Sequence, residues 1–180
     1  MQDWQSQARR VTQLGWVIWG VAMIAQFLNT FHRVAGSVAV DKIMIDFGVT
    51  AATVGSVLAM YFYVYAAMQF PSGVLADYLG PRKTVTFGCL LAGVGSIIYG
   101  LAPSVSVLYI GRFFLSLGVS VIFVSVLKIQ AVWFPSRYFA RVSALTGSLA
   151  GVGSLVGMTP MALLVIAVGW RLSFQLMGIL

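Results

Sequence analysis

The sequence contains no glutamate and only four aspartates in 180 residues, and charged residues make up just 8% of the chain. A soluble domain carries about 25% charged residues, which cover a surface that faces water. With 60% hydrophobic residues and a mean hydropathy of +0.96, this chain cannot cover such a surface. Most of its surface must therefore face lipid.

Cysteine is the next shortage. Cys89 is the only one and lies within an apolar run, which excludes a disulfide framework and a metal-thiolate site. No nucleophile–base pair, phosphate-binding loop or metal-ligand cluster is apparent, so we expect no enzyme, no cofactor and no metal. The net charge of +7 does not predict nucleic-acid binding, because the basic residues stand at the ends of apolar runs and form no single patch.

Long apolar runs fill most of the chain, and a helix needs about 20 apolar residues to cross a bilayer. We predict an all-α, polytopic membrane helix bundle, with one transmembrane half-domain over residues 1–180. The predicted helices cover residues 11–40, 51–76, 83–101, 105–131 and 141–168, and an incomplete sixth covers 171–180. That last segment would rise about 15 Å, half of a bilayer core of about 30 Å, so we expect the sixth helix to be truncated.

The basic residues predict how the helices are oriented. They precede the first helix or lie in the second and fourth connections: Arg9, Arg10, Arg82, Lys83, Arg137 and Arg141. If the helices alternate in direction, these residues share one side, which the positive-inside rule assigns to the cytoplasm. We expect a multi-pass protein of a plasma membrane, the inner membrane of a bacterium, with a cytoplasmic N-terminus.

The connection between the second and third helices has the most specific pattern. Residues 73–83 read Gly-Val-Leu-Ala-Asp-Tyr-Leu-Gly-Pro-Arg-Lys, a short charged turn between two apolar runs. An aspartate at a helix end beside an arginine can form a charge pair. The pattern Gly-x-Leu-Ala-Asp-x-x-Gly-x-Arg-Lys resembles the signature loop between helices 2 and 3 of the major facilitator superfamily of secondary transporters. This resemblance implies the N-terminal six-helix half of a twelve-helix fold, whose partner is a missing C-terminal half.

In that superfamily the loop latches the first half against the second. The resemblance therefore implies that this loop supplies gating residues, which are Gly73, Asp77, Gly80, Arg82 and Lys83. The alternative is a solvated loop whose charges only set the topology.

Arg33 is the first candidate for substrate binding, because a buried arginine in a membrane segment normally faces a bundle interior or a water-filled cavity. Gln26, Thr30 and Arg33 share one helical face and end in a guanidinium, which suits a carboxylate or phosphate. The segment Phe31-His32-Arg33, followed by residues 41–47, resembles helix 1 of the organophosphate and organic-anion transporters in the superfamily. There an arginine at the matching place contacts the substrate anion. The alternative is an arginine that snorkels to the outer surface.

Two further helices contribute candidates. Tyr61, Tyr65 and Gln69 repeat every four residues and match pocket positions of the organophosphate transporters, where the third position is often basic; packing or lipid-facing aromatics are the alternative. Arg112 resembles the helix 4 arginine of the superfamily, which pairs with helix 1 groups near the cavity. Lys128 has nearly the opposite azimuth on the same helix, so we expect it to snorkel towards the cytoplasm.

No carboxylate lies inside a predicted membrane helix, so His32 is the candidate for proton coupling in this half; a packed histidine is the alternative. The predicted function is secondary active transport of a small solute, with an organic anion favoured, by alternating access as a symporter or antiporter. The predicted partners are this small-molecule substrate, the lipid bilayer and the missing half. One alternative is a truncated, non-transporting fragment or membrane interaction subunit, and another is a half-size transporter that forms homodimers.

Small residues spaced by four predict where helices touch, because close backbone approach drives helix association in lipid. Such stripes occur at Gly88, Ala92, Ser96 and Gly100 and at the pairs Gly147–Gly151 and Gly153–Gly157.

Overall fold

A computed structural model of the chain describes residues 2–179, with side chains described from Leu14 to Ile179. Both ends of the predicted half-domain, residues 1 and 180, lie outside the described residues. The side chains of Arg9 and Arg10, which were used to predict the orientation of the helices in the membrane, also lie outside the described side chains. The helices are α1 (Gln2–Val38), α2 (Val40–Phe47), α3 (Ala51–Leu79), α4 (Pro81–Gly100), α5 (Val105–Trp133) and α6 (Ser136–Ile179). Within the described residues, five of them are long and apolar enough to cross a membrane, which confirms the predicted all-α, polytopic bundle.

The connection between α3 and α4 is shorter than predicted. α3 continues to Leu79 instead of ending at residue 76, and α4 begins at Pro81 instead of residue 83. Gly80 alone joins them with φ 78° and ψ 153°, a conformation that essentially only glycine adopts. Proline is favoured at the first position of a helix, where its missing N–H is not needed. Asp77 therefore lies in the last turn of a helix and not in a loop.

A second glycine with nearly the same conformation divides α6. Gly169 has φ 82° and ψ 160°, so α6 consists of a long first part, 136–168, and a last segment, 170–179. The two parts correspond to the predicted helices 141–168 and 171–180. The first part starts five residues earlier than predicted because Pro135 precedes it and the following polar residues are compatible with a helix.

The first predicted helix, 11–40, differs from the structure at both ends. α1 already begins at Gln2, because an apolar run marks the part of a helix that can face lipid and not the point where the helix starts. At the other end a turn at Ala39 separates α1 from the short helix α2. Gly48 ends α2 in a left-handed conformation (φ 61°), and its N–H donates to the carbonyl of Met44.

α5 is the most buried helix and contacts α1, α3, α4 and α6. Its backbone touches that of α4 where both have glycine. A Cβ atom on Gly95 would lie 2.2 Å from the Leu115 nitrogen, and one on Gly118 would lie 2.4 Å from the Ala92 nitrogen. Such close approach provides the dispersion contacts that hold helices together in lipid.

Some of the predicted small-residue stripes pack against a neighbouring helix, and one pair does not. Of the predicted stripe on α4, Gly88 packs on α5, while Gly100 packs on the last segment of α6, so this stripe is confirmed. Gly153 and Gly157 pack against rings of α1 and are also confirmed. The prediction was wrong for Gly147 and Gly151, which lie on an exposed face where an added methyl group would meet nothing within 4 Å among the described residues.

Candidate substrate and gating sites

Arg112 of α5 is buried in the middle of the bundle, with 2% of its surface exposed. Its Nη1 donates to the backbone carbonyl of His32 in α1 at 3.5 Å, and its guanidinium carbon lies 5.3 Å from the centroid of the Tyr61 ring in α3. Gly36, one turn after His32, makes room for this guanidinium, since a Cβ atom there would lie 3.4 Å from Nη1. Arg112 thus contacts α1 and α3 at once.

Arg33 lies on the exposed side of α1, and its Nη2 donates to the Ser154 hydroxyl of α6 at 3.2 Å. Among the described side chains, neither Arg33 nor Arg112 has a carboxylate within ion-pair distance, since the ion pairs there join Lys128 to Asp77 and Arg171 to Asp46. A charge in an apolar region is unfavourable without a counter-charge. The exposed Arg33 guanidinium can therefore accept an anion without displacing a protein carboxylate.

Of the predicted aromatic residues of α3, Tyr61 lies beside Arg112. Tyr61 is buried and stacks on Tyr65, with ring centroids 5.7 Å apart and an interplanar angle of 16°. Gln69 is exposed one turn beyond Tyr65. The structure thus brings Arg112 and Tyr61 together and places Tyr65 and Gln69 along the same helix as Tyr61, whereas Arg33 contacts Ser154 of α6.

The residues of the predicted polar stripe of α1 differ in exposure. Gln26 and Thr30 are both buried, whereas Arg33 is exposed. The Thr30 hydroxyl donates to the Gln26 carbonyl at 3.0 Å, and the Gln26 side chain accepts from Asn29 at 3.4 Å. These hydrogen bonds join Gln26, Asn29 and Thr30 to one another within α1.

Sequence reasoning missed Asn29 and Ser154. The Asn29 amide also donates to the Val119 carbonyl of α5 at 3.4 Å, which ties α1 to α5. An asparagine within an apolar run was the available signal. Ser154 had no such signal, because a serine in a glycine-rich helix is typical of a packing surface.

The charge pair expected between Asp77 and Arg82 is a correction. Asp77 forms its ion pair with Lys128 of α5, not with Arg82, and the Lys128 ammonium also donates to the Ala76 carbonyl at 3.0 Å. Lys128 thus reaches the end of α3 rather than snorkelling into solvent, because the extension of α3 to Leu79 brings the carboxylate within its reach. Arg82 and Lys83 are exposed at the start of α4.

A buried polar network lies near this ion pair, at the same end of the bundle. The Thr146 hydroxyl of α6 accepts from the Trp19 indole at 3.1 Å and from the Gln130 amide at 2.5 Å. Ser143 donates to the other end of the Gln130 side chain at 2.8 Å. The network joins α1, α5 and α6, so this end of the bundle is held together by hydrogen bonds as well as by packing.

A second cluster holds the opposite end of the bundle. The Trp170 indole donates to the Asp46 carboxylate at 2.7 Å, and Arg171 lies 3.7 Å from the same oxygen. Arg171 also donates to the Ala102 carbonyl at 2.5 Å, between α4 and α5. These contacts therefore join α2, the connection between α4 and α5, and the start of the last segment of α6.

The bundle also contains an apolar groove of about 970 Å³ between α1, α4, α5 and the last segment of α6. Asn29, His32 and Arg82 line it among mainly aliphatic residues, whereas Arg33 and Arg112 do not. His32 is buried there, with its Nδ1 2.9 Å from the Leu28 carbonyl. Its Nε2 has no hydrogen-bond partner within the described part of the chain.

Comparison with known proteins agrees with this architecture. The family model of the Major Facilitator Superfamily matches residues 22–180, and the chain belongs to this family. The chain is similar to a protein of Cupriavidus necator named "Probable sulfoacetate transporter SauU", with 32% identity over 162 residues, which are 90% of this chain and 38% of that protein. It is also similar to "Uncharacterized transporter YybO" of Bacillus subtilis, with 30% identity over 174 residues, 97% of this chain and 40% of that protein.

A third relative is a plant protein. It is "Probable anion transporter 4, chloroplastic" of Oryza sativa subsp. japonica, with 27% identity over 177 residues, 97% of this chain and 29% of that protein. The chain thus spans two fifths or less of the length of these relatives. The chain is a member of the family, and the part that the structure describes contains five membrane-length helices, so it is a multi-pass membrane protein.

Proposed function

We propose that the protein moves a small organic anion across a membrane by alternating access, as a symporter or an antiporter. The observation that carries the proposal is the pair of guanidinium groups, Arg33 and Arg112, which have no carboxylate partner among the described side chains. An anion would relieve their uncompensated charge. The names of two relatives, which refer to sulfoacetate and to anions, support the same class of substrate.

The two arginines would have different roles. Arg33 is exposed, so its remaining N–H groups can form a bidentate contact with a carboxylate, sulfonate or phosphate. Arg112 is buried behind Tyr61 and would add positive potential while holding the ring in place. Tyr65 and Gln69 would contact the uncharged part of the substrate, while Gln26 and Thr30 would support the helix that carries Arg33.

We infer that this half works with a second half of the same transporter, the two rocking about a site near the middle of the membrane. The Asp77–Lys128 pair lies where α3 meets the turn at Gly80, so it would control the position of the turn that meets the second half. Gly73, Arg82 and Lys83 would complete this gate. The basic residues at the same end support a cytoplasmic location for this gate and for the N-terminus, in a bacterial inner membrane.

The test uses the complete gene product, purified and reconstituted into proteoliposomes. Uptake is measured with radiolabelled organic acids, a sulfonate and phosphorylated sugars. We expect saturable uptake of at least one anion, competed by other anions but not by the uncharged amide of the same substrate. Arg33→Ala and Arg112→Ala should abolish uptake while the amount of inserted protein stays unchanged.

Two results would contradict the proposal in different ways. Saturable uptake of a cation or a neutral solute that is unchanged in both arginine variants would remove the anion assignment. A stably inserted product that takes up none of the solutes would favour the alternative of a non-transporting membrane protein.

A further inference from the structure

The contact between Arg33 and Ser154 joins the exposed guanidinium of α1 to the first part of α6. Arg33 Nη2 donates to the Ser154 hydroxyl oxygen at 3.2 Å, and that hydroxyl donates its own hydrogen to the Ala150 carbonyl at 3.1 Å. The hydroxyl hydrogen of Ser154 is thus used in a hydrogen bond within α6. Its oxygen has only the acceptor side left for the arginine, so the direction of the bond is determined.

Two glycines bring α6 close enough for this short side chain to reach Arg33. A Cβ atom on Gly153 would lie 3.0 Å from the Phe27 ring, and one on Gly157 would lie 2.6 Å from the Phe31 ring. Phe27 and Phe31 stack on each other with centroids 6.2 Å apart. The two rings of α1 therefore pack against the two glycines of α6. This contact determines the distance between α1 and α6.

The Ser154 acceptor is a neutral hydroxyl, and its lack of charge matters for anion binding. A carboxylate at this place would orient the guanidinium equally well, but it would also neutralise its charge and compete with an anionic ligand. A hydroxyl holds one N–H and leaves the charge intact. Within the described residues Arg33 has no other hydrogen-bond acceptor, so most of its five N–H groups remain available to a ligand.

We propose that Ser154 is a positioning residue that holds the Arg33 guanidinium in the orientation needed to bind an anionic substrate. The inference rests on the proposed function and adds to its substrate site, built from α1, α3 and α5, a residue on a fourth helix, α6. Arginine loses side-chain entropy when it is ordered, so an acceptor that orders it before the substrate arrives should increase affinity.

The experiment measures KM and Vmax of anion uptake by the complete gene product in proteoliposomes. Ser154→Ala should raise KM about tenfold at nearly unchanged Vmax, the size expected from a lost hydrogen bond to a charged group. Ser154→Thr keeps a hydroxyl that can bond both the i−4 carbonyl and Arg33, and it should restore the KM. Ser154→Asp should abolish uptake because it neutralises Arg33. Ser148→Ala is the matched control, since Ser148 is an exposed serine on the same helix.

A double-mutant cycle separates positioning from a general structural effect. Arg33→Lys keeps the positive charge but not the planar guanidinium group. On this background Ser154→Ala should raise KM by much less than tenfold. An equal rise on both backgrounds, or an unchanged KM in Ser154→Ala alone, would overturn the inference. Unchanged anion uptake in Arg33→Ala would overturn it as well. If instead the unsubstituted protein takes up no anion, the proposed function itself fails, so the two failures are distinguishable.

Discussion

The guanidinium carbon of Arg112 lies 5.3 Å above the ring of Tyr61, so a buried cation in α5 rests on an aromatic face of α3. Arg112 is 2% exposed, and its Nε has no acceptor within the described part of the chain. The ring and the His32 carbonyl are therefore its main compensating contacts. Such a contact between a desolvated cation and a ring contributes about 2 kcal/mol.

The ring and not the hydroxyl of Tyr61 should matter for this contact. Tyr61→Phe keeps the ring and should leave substrate affinity nearly unchanged, whereas Tyr61→Leu removes the negative face of the ring and should weaken affinity by up to about 2 kcal/mol. KM of anion uptake in the two variants measures the difference. An equal loss in both would show that the hydroxyl acts directly.

Gly36 provides the space for Arg112, and a methyl group there should be harmful. In Gly36→Ala the new Cβ would lie 2.5 Å from the Leu58 side chain and 3.4 Å from Arg112 Nη1. Overpacking of this kind costs about 1–3 kcal/mol, so the unfolding temperature in detergent should fall. The control is Gly20→Ala on the same helix, where nothing lies within 4 Å among the described residues. That variant should gain up to about 1 kcal/mol of helix propensity, and a fall in both would point to a general effect of alanine in α1.

The Asp77–Lys128 pair should act on transport more than on stability. Its side chains are 71% and 27% exposed, and exposed pairs contribute about 0–1 kcal/mol. Asp77→Asn should therefore slow uptake strongly with little change in unfolding temperature. The exchange of charges in Asp77→Lys with Lys128→Asp should restore part of the rate. Arg137→Gln, which removes an exposed charge near the start of α6, should have no effect on either quantity. Normal uptake in Asp77→Asn would remove the pair from the gate.

The Thr146 network should contribute to stability. Thr146→Val keeps the shape of the side chain but leaves the Trp19 indole and the Gln130 amide without their acceptor. A buried donor without a partner costs about 1–3 kcal/mol, which a lower unfolding temperature would show. In the control, Ser125→Ala, the lost hydroxyl bonds only the Val121 carbonyl of its own helix, so a smaller change is expected. Equal falls in unfolding temperature in Thr146→Val and Ser125→Ala would mean that the bonds which Thr146 accepts from Trp19 and Gln130 do not add to stability.

His32 should matter only if protons move with the substrate. Because a carbonyl can only accept, the hydrogen of the neutral ring lies on Nδ1, which leaves Nε2 able to take up a proton. In His32→Gln, accumulation driven by a pH gradient should be lost, while exchange of labelled for unlabelled substrate should persist. Unchanged accumulation would place proton coupling elsewhere.

The sequence alone was sufficient for the class of fold. The near absence of acidic residues and the length of the apolar runs require membrane helices, because a helix satisfies its backbone groups within a single apolar segment of about 20 residues. The turn at Gly80 was also recognisable, since glycine followed by proline is a strong local signal. The turn at Ala39 was not, because alanine is a good helix former and only the packing around α2 ends α1 there.

Which polar groups meet was decided by the tertiary structure. The residue types of Arg33, Arg112 and Tyr61 marked them as candidates, but periodicity describes only one helix at a time. The partner of Asp77 lies 51 residues away in the chain and that of Arg33 lies 121 residues away. Those pairings depend on how far α3 continues and on how closely two glycines let α6 approach α1, which are properties of packed helices and not of any single segment.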